Sequence, residues 1–506
     1  MSVGDEQISM VSAGTSDGTP PAFQSAHKQP FKIDDDLSTR NSSLESSDTD
    51  GDSSTKPFLR RGWFGGGAGS PLDAWLTTSA AQIGQVMLAM PHAVSLCGMR
   101  VAIPLMVLYS LGSIWTIHLL TTLYLELKQR KVAAGTWAGG HEKRATQYFN
   151  VVGELTGSRV VKAFVTVITI ISLLCTGIAQ IVAISTGSYY LNTSIDKRTW
   201  TLIWGAILSV TMSLVPNFRH FRLLNIISLV GTAYTAVYLI ATAASTGLPR
   251  ARYALTAGPV KAQNVFLGAN VFMSGFGGHS MSFEVIDALF NPGCYDTVYP
   301  YSYLFTWFVT IPHSLLNQLA FPVDNAKYSN IYGAVPNNAA RNASIVLMII
   351  HQAVAYALYV TPVFFMWEKL VGTHDKPLWI RLPSRLPVAL LVWFFALIFP
   401  FFDTINAVQG AVGYSFTAFV FPTAAYLWVY KSAKARNNAP KVPRFIGGWT
   451  AAMLLNTVMV VYFAIFGVGF GTWAAIKNLV DQVNTLGLFA SCYQCSSIVA
   501  TNVIKG

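Results

Sequence analysis

Charged side chains are scarce in this sequence. Asp, Glu, Lys and Arg make up 11% of its 506 residues, against roughly 25% in soluble globular domains. So few charges do not cover the surface of a water-soluble protein of this length. Cysteine is scarce as well: five scattered residues exclude a disulfide framework. Cys492-Tyr-Gln-Cys495 has redox-motif spacing, or half of a zinc site, but no second pair or nearby His completes the metal set. A local disulfide and two inert thiols stay open as readings of that pair. Gly-x-x-x-x-Gly-Lys is missing, so the chain is not expected to drive work by nucleotide hydrolysis. The glycines of residues 63–69 read as a flexible lead into the first helix, with no phosphate role. No nucleophile and base fall into catalytic spacing, so an enzyme is not expected. A basic segment followed by a short apolar core is missing too, so no secretory signal peptide is expected.

Apolar residues, by contrast, reach 52%, with 13 Trp, 21 Tyr and 31 Phe. The reading is an all-α polytopic membrane protein, because lipid offers backbone amides no partner and a helix satisfies its own. The net charge of +11 hides two regions. Residues 1–56 hold four basic and ten acidic side chains, whereas the rest holds 30 basic and 13 acidic. The first region, rich in Ser, Thr, Asp and Gly with no apolar run, reads as a disordered cytoplasmic tail over 1–60. The basic excess of the second belongs to loops that orient helices, so no nucleic acid is implied.

Apolar stretches of bilayer length (~20 residues) recur from Asp73 onward. They cover 73–97, 100–126, 160–191, 200–216, 221–247, 264–290, 298–321, 342–370, 386–402, 404–430 and 447–472. Ten of them form a transport core over 73–430, as two five-helix repeats of about 73–247 and 264–430. The eleventh follows at 447–472, and 473–506 forms an extracellular C-terminal segment. With the tail inside, eighteen basic side chains fall in inner segments and ten in outer ones. That bias predicts a cytoplasmic N-terminus and an extracellular C-terminus. Asn192-Thr-Ser and Asn342-Ala-Ser, the glycosylation triplets beyond the tail, both fall on the outer side.

Two spans contain helix breakers at mid-depth. The sixth reads Gly275-Phe276-Gly277-Gly278-His279-Ser280-Met281-Ser282-Phe283-Glu284. Three glycines in four residues suit an unwound stretch, and ionisable groups inside a membrane point to function. The first carries Gln82, Gly84, Gln85 and Pro91, with both glutamines on one helical face. Interrupted helices at positions one and six fit inverted repeats with a site at their interface. Gln180, His351 and Gln352 are further mid-depth polar residues, while Asp403 and Arg219/Arg222 read as solvated loop positions.

The chain resembles the AUX/LAX auxin influx carriers of the amino acid/auxin permease family, as a divergent member. The resembling stretches begin with Asp73-Ala74-Trp75, with Gln82, Gln85 and Pro91, then Tyr189-Tyr190-Leu191-Asn192 and Asp196-Lys197-Arg198-Thr199-Trp200-Thr201. They continue through Phe276-Gly277-Gly278-His279, His351-Gln352, Thr361-Pro362 and Trp367-Glu368-Lys369. Phe399-Pro400-Phe401-Phe402 with Ile405-Asn406 follows, and Gly487-Leu488-Phe489-Ala490 runs into Cys492-Tyr493-Gln494-Cys495. The chain departs from the family pattern at Ala81, at Asn317-Gln318-Leu319-Ala320-Phe321-Pro322, at Asn291-Pro292-Gly293-Cys294 and at Asp403.

The resemblance implies a LeuT-like 5+5 inverted repeat plus an eleventh helix. It also implies a monomer in the plasma membrane that imports indole-3-acetate with protons and needs no cofactor beyond the proton gradient. The implied substrate site is Gln82, Gln85, Gln180, Phe276, Gly277, Gly278, His279, His351 and Gln352. His279 and Glu284 are the candidate proton sites. A proton-coupled permease for neutral or aromatic amino acids is the alternative on the same fold. A non-transporting receptor is a third reading, against which the broken helices argue.

Overall fold

A computed structural model describes residues 69–137, 146–214, 221–248, 251–256, 258–259, 261–437, 439–440 and 442–495. The N-terminal tail and the loop positions Lys143, Arg144 and Arg219 lie outside the described residues. No strand occurs among the described residues. In chain order the main helices begin with α1 Pro71–Ile83, α2 Met90–Cys97, α3 Met99–Ala133, α4 Tyr148–Thr156 and α5 Arg159–Leu191. Next come α6 Lys197–Ser213, α7 Phe221–Thr246, α8 Ala262–Phe276, α9 Ser282–Ala288 and α10 Tyr295–Ala320. The last are α11 Ala339–Leu370, α12 Leu386–Ile398, α13 Phe402–Val429 and α14 Trp449–Leu486.

Each of the eleven apolar spans coincides with a helix or a broken pair of helices. Seven helical segments among the described residues are long and apolar enough to cross a bilayer unaided. The other four spans fall short for physical reasons. Two are the interrupted pairs α1/α2 and α8/α9, and α6 has 17 residues. The fourth, α10, buries a polar stripe of Ser302, Thr306, Thr310, His313, Ser314 and Asn317. Large apolar side chains such as Leu111, Val237, Phe308 and Leu454 stand exposed on the outside. In water such a surface would aggregate; in a bilayer it meets acyl chains. The fold is an all-α polytopic membrane protein.

Helices cross closely where glycines let them. A Cβ on Gly205 of α6 would lie 1.9 Å from the Trp393 ring of α12, and one on Gly410 of α13 would lie 1.9 Å from the Asn270 carbonyl oxygen of α8. Small residues at such crossings bring backbones together where lipid supplies no hydrophobic drive. Within α13 the stretch Gln409–Val420 is wound as a π-helix, as is Phe463–Gly471 of α14. Both lie against α8, and the first also lies against the turn His279–Met281.

Two polar devices tie loops to the bundle. In the last turn of α11, Glu368 accepts from Arg385 Nε at 2.6 Å and from Arg381 Nε at 2.9 Å, with His374 Nδ1 at 2.7 Å. Glu368 and Arg385 are both wholly buried.

The second device is C-terminal. α14 runs beyond the apolar span to Leu486, because Ala474 and Ala475 pack on Ala407 and Ala411, while Asn478 and Gln482 bond Thr404. Residues 487–495 then fold back as a strap that includes a Cys492–Cys495 disulfide. Of the two readings open for that pair, the structure takes the disulfide. Tyr493 inserts against Phe401 and donates to Asp403, which Gln482 also meets at 3.2 Å. Asp403 is therefore bonded, where the sequence suggested a merely solvated turn.

Candidate functional site

The first break follows from two residues. Gly84 takes φ +43°, a left-handed value that favours glycine, and ends α1. A short 3₁₀ stretch, Gln85–Leu88, then leads to α2, whose second residue is Pro91. In the sixth span α8 stops at Phe276, Gly278 adopts φ +135°, and a 3₁₀ turn, His279–Met281, precedes α9. Both helices are thus interrupted where the glycines predict.

Around these breaks the side chains have hydrogen-bonding capacity to spare. Gln82 Oε1 accepts from Ser302 at 2.9 Å and from Thr306 at 3.4 Å, both on α10, while its Nε2 has no partner. Gln85 Nε2 donates to Asn406 Oδ1 of α13 at 2.8 Å, and its Oε1 is unpartnered. Gln180 of α5 comes close to the same turn: a Cβ on Gly84 would lie 3.7 Å from its Nε2, and its Oε1 is unpartnered. A Cβ on Gly278 would lie 3.3 Å from Gln82 Cγ and 3.8 Å from the Tyr359 hydroxyl. The two breaks therefore meet, and Gln82, Gln85, Gln180 and Gly278 share one neighbourhood. Unpaired buried amides are costly unless water or a ligand completes them.

Gly277 is covered by an aromatic ring. A Cβ there would fall 2.4 Å from the Tyr414 ring of α13. Tyr414 OH lies 3.3 Å from Thr176 Oγ1 of α5, which also accepts from Gln409 Nε2 at 2.6 Å. The Phe276 carbonyl is tied down by Ser113 Oγ of α3 at 2.6 Å and by the Tyr303 hydroxyl.

His279 is wholly buried and faces α3. Its Nε2 lies 2.9 Å from Thr116 Oγ1 and 3.3 Å from the Ser113 carbonyl, while Nδ1 has no partner. Its ring lies edge-on to Tyr299 and near Phe419. The His351 ring turns to Ser228 of α7. Gln352 next to it is buried with Oε1 unpartnered, and Glu284 on α9 is half-buried with Oε2 unpartnered. The structure thus brings Gln82, Gln85, Gln180 and Gly278 together, sets His279 against α3, leaves Gln352 buried on α11, and points His351 to Ser228 of α7.

Several residues of this neighbourhood carried no sequence signal of their own. Tyr359 of α11 donates to the Ala81 carbonyl at 3.0 Å, holding the end of α1. Asn406 bonds Gln85 and its carbonyl accepts from Ser274 at 2.8 Å, joining both breaks to α13. Thr116, Ser113, Tyr303 and Tyr414 complete the shell. Only Asn406 belongs to a stretch singled out in the sequence, and there as part of a motif.

A narrow cleft lies beside the junction, lined by Thr78, Ala81, Gln82, Gly278, Met281, Ser282, Val285 and Tyr295. The cleft has room for about one water molecule, so this conformation is a contracted one and a substrate needs the helices to part. None of the ion pairs among the described residues lies at the junction. The site is neutral, amide-rich and flanked by tyrosines.

A family model described as transmembrane amino acid transporter protein matches residues 67–466. Auxin transporter protein 1 of Arabidopsis thaliana is 38% identical over 440 residues, which cover 87% of this chain and 89% of that protein. Auxin transporter-like protein 1 of Medicago truncatula is 37% identical over 442 residues, covering 87% and 90%. Auxin transporter-like protein 1 of Oryza sativa subsp. japonica is 36% identical over 435 residues, covering 86% of each.

Proposed function

The chain belongs to the transmembrane amino acid transporter family, in its AUX/LAX auxin-carrier branch, and from that premise we propose that it imports indole-3-acetate with protons across the plasma membrane. It is a multi-pass membrane transporter of a small molecule. The observation that carries the finer reading is the meeting of two broken helices around amide groups with unused hydrogen-bonding capacity.

The physics of the task sets what the site must do. Indole-3-acetate is an anion at neutral pH, and an inside-negative potential opposes its entry by ~2.3 kcal/mol per charge per 100 mV. One proton per anion makes the step electrically neutral, and two let the potential drive it. In this reading the unwound amides of Gly277 and Gly278 and the free Nε2 of Gln82 hold the carboxylate. Gln85, Gln180 and Gln352 offer acceptors, and Phe276, Tyr359 and Tyr414 enclose the ring. His279, whose imidazole can carry a proton on either nitrogen, loads a proton from the acidic outer side. Glu284 serves as a second proton site and His351 steadies the neighbouring helix. Rocking of the two five-helix repeats, 73–247 against 264–430, then opens the contracted cavity to the cytoplasm, where the N-terminus lies.

The test is uptake of labelled indole-3-acetate into proteoliposomes with the outside made acidic. The expected result is accumulation that collapses with the pH gradient and is abolished by His279→Ala at unchanged protein level. No auxin uptake alongside good uptake of neutral amino acids would overturn the substrate and assign the amino acid permease reading.

A further inference from the structure

We infer that Thr116 is a positioning residue for proton coupling: it fixes the His279 ring so that Nε2 always carries hydrogen and Nδ1 takes up and releases the transported proton. The inference rests on the reading of His279 as a proton site, and it names the atom and the residue that sets it.

The geometry carries it through two separate neighbours of Nε2. The Ser113 carbonyl oxygen, 3.3 Å from Nε2, has no hydrogen to give and can only accept. The Thr116 hydroxyl, 2.9 Å from Nε2, has a single hydrogen, and that hydrogen goes to the same Ser113 carbonyl at 3.1 Å. Its remaining lone pairs face Nε2. Both neighbours therefore require an N–H on Nε2. A neutral imidazole with hydrogen on Nε2 keeps its lone pair on Nδ1, and Nδ1 is buried without a partner. Proton uptake forms a new Nδ1–H bond and an imidazolium; release breaks that bond and restores the same tautomer. The ring need not flip in either direction.

The surroundings leave this task to Thr116. Tyr299 of α10 stands edge-on to the ring, and Tyr303 beside it is engaged with Ser113 and the Phe276 carbonyl. From α13 come Phe419, close to the ring, and Tyr414, packed on Gly277. Glu284 lies further along on α9. None of the ion pairs among the described residues includes His279. With no carboxylate pairing, the acceptors on Nε2–H are what favour the charged ring, because a hydrogen bond strengthens when its donor is ionised.

The experiment is auxin uptake into proteoliposomes as a function of external pH for the wild type, Thr116→Ser, Thr116→Val and His279→Ala. Valine keeps the shape and removes the acceptor, which lowers proton affinity by about tenfold. The uptake midpoint of Thr116→Val should therefore move about one pH unit toward acid, while Thr116→Ser keeps the wild-type midpoint. A wild-type midpoint and rate in Thr116→Val, with His279→Ala inactive, overturns the positioning role alone. Full uptake by His279→Ala overturns the reading beneath it. Nitrogen NMR of ¹⁵N-histidine-labelled wild-type protein, with the ring signals assigned by loss in His279→Ala, decides the tautomer should the valine variant fail to fold. Hydrogen on Nε2 of the neutral ring is expected, and hydrogen on Nδ1 overturns the proposal.

Discussion

Lys197 offers a sharp physical test, because an amine is buried there without a counter-ion. It is the first residue of α6, ahead of the apolar span that begins at Trp200, and it is 3% exposed. Its Nζ donates to the Tyr493 carbonyl and, at 3.4 Å, to the Gln494 carbonyl of the C-terminal strap. It also sits over the Tyr189 and Tyr190 rings at 5.1 and 5.4 Å, and Arg341 stacks on Tyr190 as well. None of the ion pairs among the described residues includes Lys197; the nearby Asp196 pairs with Arg198. Loss of hydration pushes the Lys197 pKa down from 10.5 to about 7. The unfolded chain keeps its proton up to about pH 10.4, whereas the folded chain releases it from pH 7 upward. Within that window the unfolded state binds more protons, so stability rises with pH; below it both states are charged and the burial cost stands in full, ~5 kcal/mol.

Replacing Lys197 with Met removes the cost but also leaves two carbonyls without a donor, at ~1–3 kcal/mol each. At pH 6 these changes nearly cancel, so a comparison at one pH decides nothing. The slope is diagnostic. Between pH 7 and pH 9 the wild type should gain ~2 kcal/mol relative to Lys197→Met, read as thermal or denaturant unfolding of the purified protein in detergent. Parallel stability curves for the two proteins would show that Lys197 does not change its proton affinity on folding, and would refute the reasoning.

Three further outcomes follow from packing and pairing. Gly277→Ala should cost ~1–3 kcal/mol and most of the transport, because the Tyr414 ring occupies the space of the new methyl; uptake normalised to protein amount checks it. Arg385→Met takes the donor from Glu368 Oε1, while Arg381 and His374 still hold Oε2, and should lower stability by ~1–3 kcal/mol, seen as lost folded yield in size-exclusion chromatography. The paired change Cys492→Ser and Cys495→Ser opens a small loop and should cost at most ~2 kcal/mol, detected as faster amide exchange in residues 488–494 with the bundle unaffected.

What the sequence made legible, and what it did not, divides along a physical line. Helix breaks are nearly local: Gly84 and the pair Gly277-Gly278 disfavour a continuous helix, Pro91 removes a backbone donor, and the structure interrupts both helices there. Burial is nearly local too, since ionisable and amide side chains at mid-depth must turn inward. Which neighbour each side chain meets is not local, because the rotation of a helix about its axis is set by its packing partners. Hence Gln82 and Gln85, which their spacing put on one helical face, meet Ser302 and Asn406 on different helices, because the chain breaks at Gly84 between them. The strap is the extreme case. A polar stretch after the last apolar span reads as an extracellular end, yet Tyr493, Gln494 and Asp403 bind one another's neighbourhoods across 90 residues of chain. His279 shows the same limit at the site itself. Its place beside the glycines was readable, but the Thr116 hydroxyl that faces it comes from a helix 163 residues away in sequence. The chemistry of the ring depends on that contact, since an acceptor at Nε2 decides which nitrogen is left free to exchange a proton.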